Sequence, residues 1–224
     1  MGMLVVDTER RTAMLTTTAP DLRAAAQIVE AYSVQVDRFA RRFPVDEIAR
    51  IAAVLVDAHR DGRSVFVFGN GACAALASHM AADLAKSLAP SRQADPLAPV
   101  AERLRILALT DNAAMMTAVG NDFDYDDVFL EQLRVLMRTG DVVFGLSASG
   151  GSANVLRALD FARDRGAVTL AFTGAMQGLP PILDLVDVAA VVPSCDIDVI
   201  EDFHVAYHHA LTRAFVAGVQ VARS

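Results

Sequence analysis

Two short segments of this 224-residue chain combine glycine with amide or hydroxyl side chains in the way an anion site needs. Gly69-Asn70-Gly71 closes the apolar run Val65 to Phe68. Ser147-Ala148-Ser149-Gly150-Gly151-Ser152 closes another, Val142 to Leu146. Glycine lets the backbone turn sharply and approach a ligand closely. A helix opening directly after such a turn adds unpaired N–H groups and a partial positive charge. Three serine hydroxyls among glycine amides complete a nest for phosphate. Neither segment carries the Gly-Lys-Ser/Thr of a nucleotide P-loop or a G-x-G-x-x-G dinucleotide fingerprint.

A second set of residues has proton chemistry. His79 and Asp83 stand four apart in an Ala-rich helical pattern and share a face. Glu201 and His204 share a face by the same rule. His208 lies seven residues past Glu201 and His209 eight, the latter about 80° further round an ideal helix. Bare geometry favours His208 as the partner of Glu201. His59 reads as a surface residue, Met115 and Met116 as core, and Asp124, Asp126 and Asp127 as an acidic turn with an N-cap.

These residues need a scaffold, and the hydropathy pattern supplies one. Pro20-Asp21 opens a helical pattern through Phe39, and a second runs from Pro44 to Arg60, with Asp46 and Glu47 complementing its dipole. Strands are expected at Val65–Phe68, Leu104–Leu109, Val142–Leu146, Val168–Phe172 and Val188–Val192. Helices are expected at Ala72–Leu88, Asp126–Met137, Ala153–Asp164 and Asp198 to about Val216. Strands alternating with helices indicate right-handed βαβ units, hence an α/β fold with a five-stranded parallel sheet. In such sheets ligands sit beyond the carboxyl ends of the strands, where both glycine loops fall. Residues 1–19 read as a flexible leader and 20–224 as a single domain. The segment from Ala89 to Val100, with Pro90, Pro96 and Pro99, reads as a long loop.

Composition narrows the function. A net charge of −7 argues against nucleic acid as a partner. No apolar run approaches the roughly 20 residues of a membrane span, and the N-terminus lacks a signal pattern. Cys73 and Cys195 are too few for a disulfide framework or a Cys-based zinc site, so a cytoplasmic location is expected.

At both loops the sequence resembles the SIS (sugar isomerase) superfamily, and within it the phosphoheptose isomerases. The matching segments are Gly69 through Asp83, Val119-Gly120-Asn121-Asp122-Phe123, Leu146 through Val155, and Ile200 through His209. The resemblance implies a Rossmann-like SIS domain with added N-terminal helices. It also implies conversion of sedoheptulose 7-phosphate to D-glycero-D-manno-heptose 7-phosphate through an enediol. It places Ser147, Ser149 and Ser152 on the phosphate, and Asn70, Gly71, Asn112, Asn121 and Asp122 about the sugar. His79, Asp83, Glu201 and His209 fall where the family has its Zn²⁺ ligands, and Asp83 and His209 where it has its acid and base. The resemblance thus favours His209 over His208. The chain departs from the pattern with Cys73 for Ser, Ala148 for Thr, Asp83 for Glu, Glu201 for Gln and Asn112 for Asp.

Two other readings use the same loops without the chemistry. One is a non-catalytic SIS protein that binds a phosphosugar, or a protein such as a replication initiator. The other is a sugar-phosphate sensor. Neither has a chemical reason to keep His79, Asp83, Glu201 and His209. A homotetramer is expected, because the two N-terminal helices carry more apolar surface than one sheet face can cover. Light scattering at micromolar concentration should give four times the 23.9 kDa chain mass. A mass of one chain would refute that expectation.

Overall fold

A computed structural model describes residues 22–88, 103–176 and 178–223. The chain divides between Arg42 and Phe43 into two compact units. In the first, α1 (Leu22–Ala40) is a single helix with an Arg41–Asp37 ion pair at its end, and Ile28, Val29 and Val34 on it are exposed. The boundary expected at residue 20, the leader and the proline-bearing loop at 89–100 lie outside the described residues.

The second unit holds the sheet. Its elements are α2 (Val45–Arg60), β1 (Ser64–Gly69), α3 (Ala72–Ser87), β2 (Arg105–Ala108), α4 (Ala113–Asp122), α5 (Leu130–Leu136), β3 (Val142–Ser147), α6 (Ala153–Asp164), β4 (Val168–Gly174), β5 (Val188–Val192) and α7 (Ile197–Arg223). All five strands are parallel, in the order β2-β1-β3-β4-β5. Parallel strands cannot be joined by hairpins, so each connection crosses a face, and both faces are covered. Phe66, Phe68, Val143 and Ala171 pack toward α5 and α6, where Phe68 stacks on Phe129 at 4.8 Å. The alternate residues face the other way: Phe172 meets His204 and Tyr207 of α7. This alternation explains why β1 and β3 read as unbroken apolar runs.

The strand order decides where a ligand sits. From β1 the chain moves outward to β2, and from β3 it moves the other way through β4 to β5. The reversal falls between β1 and β3, which is where open sheets of this order leave a crevice. Both glycine loops follow those two strands.

Sequence periodicity misplaced some details. The helix expected at Asp126–Met137 is a 3-10 turn, Tyr125–Asp127, followed by the short α5. Helix α4 was not anticipated, because its Ala- and Met-rich stretch has little amphipathic contrast. It is started by Asn112, whose Oδ1 accepts the Met115 N–H at 3.1 Å. Helix α7 runs on to Arg223, past the expected end near Val216. His59 is half-buried, its ring 6.0 Å from that of Phe215, so it is not a simple surface residue. Met115 and Met116 pack against the core as expected, and Asp124 caps the 3-10 turn by accepting the Asp126 N–H. Among the described residues no helix is long and apolar enough to cross a membrane.

Close approach of backbone to backbone makes Gly69 the tightest point of β1. A Cβ there would lie 2.6 Å from the Leu146 carbonyl oxygen and 2.7 Å from Cys73 Cβ. At Gly145 the nearest atom is the flexible Leu159 Cδ1, at 2.8 Å. Both Gly→Ala changes should destabilise, by roughly 1–3 kcal/mol for ordinary overpacking. Gly69→Ala should cost more, since a ladder carbonyl cannot swing aside. Urea unfolding of the two variants checks the order, and equal midpoints would contradict it.

Candidate active site

The serine loop is braced from within. Ser147 is buried, and its Oγ accepts the Gly150 N–H and lies 3.1 Å from Ser152 Oγ. Gly150 has φ +65 and packs against Thr173, Pro180 and Ile182, so no side chain fits there. Ser149 is exposed and Ser152 half-exposed at the start of α6. Of the three serines, Ser147 thus mainly shapes the loop, whereas Ser149 and Ser152 present hydroxyls outward beside a helix N-terminus.

The Gly-Asn-Gly loop is clasped to the serine loop. Asn70 Nδ2 donates to Asn154 Oδ1 at 2.9 Å, and Asn154 Nδ2 donates back to Asn70 Oδ1 at 2.9 Å. The Tyr125 hydroxyl also donates to Asn70 Oδ1, at 3.1 Å. Asn154 is buried in the first turn of α6, so a fixed amide pair sets the distance between the two loops. Sequence reading missed Asn154 and Tyr125. An asparagine two residues after the last serine was the available signal. Gly71 begins α3 with φ +55. Asn112 is committed to capping α4. Asn121 and Asp122 close α4 on the surface, where Asn121 Nδ2 donates to Asp122 Oδ1 at 2.7 Å.

Two turns along α3, four titratable side chains converge. The donor atoms of His79, Asp83, His208 and His209 lie within 4.8 Å of one another. Asp83 Oδ2 is 3.1 Å from both His79 Nε2 and His208 Nε2, while its Oδ1 is 2.7 Å from Lys86 Nζ. The Lys86 ammonium, followed by His208 and His79, holds the Asp83 carboxyl down to about 2 against the opposing effect of burial. Asp83 is therefore ionised at neutral pH, the form that accepts a proton or binds a cation. His208 is fully buried, which lowers its pKa and keeps it neutral, and its Nδ1 lies 3.4 Å from Thr212 Oγ1.

Glu201, expected in this set, does not join it. Two helical turns along α7 separate it from His208. It instead lines a cavity of about 230 Å³ with Ala72, Cys73, Leu76 and His204, at the start of α3. Burial, then Asp198 and Asp202, raises the Glu201 pKa. The Cys73 thiol is pushed up to about 11, chiefly by burial, so it stays protonated. The question of His208 or His209 resolves differently from either expectation, because α3 meets α7 where both rings reach Asp83's group: the ring of His79 lies 4.7 Å from that of His208 and 5.4 Å from that of His209.

Residues 31–174 match the SIS domain family. The phosphoheptose isomerase of Pelobacter propionicus is 40% identical over 72% of this chain and 80% of its own length. That of Geobacter sulfurreducens is 36% identical over 84% of this chain and 89% of its own. The chain belongs to the SIS-domain family, among the phosphoheptose isomerases. The solved phosphoheptose isomerase GmhA of Neisseria gonorrhoeae superposes with a TM-score of 0.75 at 29% identity, covering 88% of this chain and 99% of that one. This SIS domain therefore shares the fold of its solved relative, and in it three histidines, His79, His208 and His209, gather round Asp83.

His204 forms the inner wall of the Glu201 cavity. It is fully buried, and neither ring nitrogen makes a hydrogen bond of normal geometry among the described residues. Burial pushes its pKa down to about 4, against a weaker opposing pull from the Thr173 backbone. The unfolded chain takes up this proton near pH 6.5 and the folded one does not until about pH 4. Stability should thus be unaffected by His204 above pH 6.5 and fall steadily below it. The loss approaches about 3 kcal/mol by pH 4, at 1.36 kcal/mol per unit. His208 adds to this with the same sign. Urea titrations between pH 7 and 4 should show a shallower slope for His204→Leu than for the parent, and an unchanged slope would refute the account.

Proposed function

We propose that this SIS-domain protein is the isomerase that interconverts sedoheptulose 7-phosphate and D-glycero-D-manno-heptose 7-phosphate. The observation carrying this reading is the placement of two clasped anion-type loops at the sheet's reversal point, with a cluster of titratable side chains where the helix that leaves one of them, α3, meets α7. A non-catalytic binding protein would have use for the loops but none for the cluster.

The geometry supports the following roles. Ser149, Ser152 and the amides of the serine loop and α6 receive the phosphate. Asn70, held rigid by Asn154 and Tyr125, presents its amide edge beside the sugar. Moving a proton between adjacent carbons needs a base, an acid and stabilisation of negative oxygen. Where no metal occupies them, Asp83, ionised, and His209, exposed, are the proton-transfer pair. Glu201 faces the sugar from the cavity that opens beside Cys73. Raising its pKa moves this carboxylate toward the range useful for acid–base work at neutral pH.

The donors of His79, Asp83, His208 and His209 suit a divalent metal such as zinc. Three imidazoles and one carboxylate are its usual ligands, and tetrahedral donors with bonds of about 2.1 Å stand roughly 3.4 Å apart. Zinc at such a site supplies charge stabilisation for a developing oxyanion. Thr212 holds the His208 ring from behind. We further propose a homotetramer working in the cytoplasm.

Incubation with sedoheptulose 7-phosphate should yield the aldose. Asp83→Asn and His209→Ala should each lower kcat by a factor of ~100 or more. Ser149→Ala should instead raise KM, by the roughly 1–3 kcal/mol of a charge-assisted hydrogen bond. Metal analysis separates the two carboxylates: Asp83→Asn should lose metal, whereas Glu201→Gln should keep it and lose turnover. Parental turnover in both Asp83→Asn and His209→Ala would sink the assignment.

A further inference from the structure

At the opposite end of β1 lies a second cavity, of about 240 Å³, that plays no part in the site above. His59, Arg60, Arg63, Arg103 and Arg105 line it. The fold gathers them from distant parts of the chain. Helix α2 ends at Arg60, Gly62 with φ +65 turns the chain into β1, and Ser64 pairs with Arg105 across the ladder. Four arginines thus line one recess in a chain of net charge −7.

Two carboxylates answer part of that charge. Arg60 pairs with Asp57 at 2.8 Å and Asp61 at 3.0 Å, and Arg63 pairs with Asp61 at 2.6 Å. Asp141 is also at this end of β1, but its carboxylate accepts the Ser64 and Arg138 N–H groups, so among the described residues the arginines outnumber the carboxylates paired with them. The side chains of Arg103 and Arg105 have no ion pair or hydrogen bond among the described residues. Arg63 is fixed between Asp61 and the Gly140 carbonyl, which accepts from its Nη1 at 3.3 Å, yet its buried Nε has no acceptor among the described residues. One arginine is therefore preorganised with a donor unused among the described residues, and two more line the recess beside it without a partner among those residues.

Like charges so placed repel unless an anion lies between them. Guanidinium forks match phosphate oxygens two at a time. The recess has room for two phosphate groups and offers no Phe, Tyr or Trp on which a base could stack. It is separated from the serine loop by the length of β1, roughly 20 Å at 3.3 Å per residue. We propose that this arginine recess is a binding site for a diphosphate group, either free pyrophosphate or the tail of a nucleotide, distinct from the substrate's phosphate loop.

Isothermal titration with pyrophosphate at low ionic strength tests this. The full chain carrying Ser149→Ala and Ser152→Ala, which weaken the substrate loop, should still bind. Adding Arg103→Ala and Arg105→Ala should weaken binding at least tenfold. Lysine at both positions should recover part of the affinity, since charge returns without the fork. If the alanine protein does not fold, the lysine protein carries the test, with an expected loss of several-fold. Titration with ADP assigns the source. Binding no tighter than pyrophosphate supports the free anion, and tighter binding supports a nucleotide. Absence of binding to the serine variant, or binding unchanged by the arginine substitutions, would overturn the proposal.

Discussion

The site depends on the contact between β1 and β3 at their carboxyl ends. Gly69 pairs with Leu146 there, at a separation that leaves no space for a Cβ. These are the strands between which the sheet reverses direction, so the two loops that leave them diverge and open a crevice. The reciprocal Asn70–Asn154 amide pair spans that crevice and converts two flexible glycine turns into one fixed surface. Each amide satisfies the other's donor and acceptor, so the pair holds its geometry without a charge. The two loops are therefore a preformed set of hydroxyls and N–H groups, whose ordering cost was met in folding.

Placing a charged cluster against an apolar sheet has an electrostatic cost, and the protein limits it by grading exposure. His208 is buried and neutral, Asp83 half-buried and ionised, and His79 and His209 are exposed. Lys86 supplies the counter-charge to Asp83 from the solvent side. Asp83 therefore needs no protonated histidine to remain ionised, which leaves the imidazoles free to serve as ligands or proton carriers. The nearby cavity has the opposite character. Glu201 there sits near Asp198 and Asp202, and burial with these two carboxylates raises its pKa. The two carboxylates are thus pushed apart in acidity, a pattern that separates the roles of paired acids in many active sites.

The two ends of β1 differ just as sharply. Its carboxyl end opens on neutral amides and hydroxyls, and its amino end on a crowd of guanidinium groups. A negative chain can hold both, because the charge that matters to a small anion is the charge within a few ångströms, not the sum over the surface.

By itself the sequence determined the parallel α/β architecture, the positions of the five strands and the two loops. These are written in local patterns: unbroken apolar runs, glycine at strand ends, and helical periodicity after them. It also paired His79 with Asp83, because four residues on one helix is a local distance. Its limits appear where local patterns are weak or contacts are long-range. Helix α4, with little amphipathic contrast, was invisible. So were Asn154 and Tyr125 as partners of Asn70, 84 and 55 residues away in the chain. Glu201 and the histidines of α7 lie on one helix, and spacing alone could not say which of them meets Asp83. Only the tertiary structure decided that, because the crossing of α3 and α7 brings His208 and His209 to the aspartate and leaves Glu201 two turns away, facing the cavity. Helical periodicity fixes which side of its own axis a residue occupies, while the packing of that axis against its neighbours fixes what the residue touches.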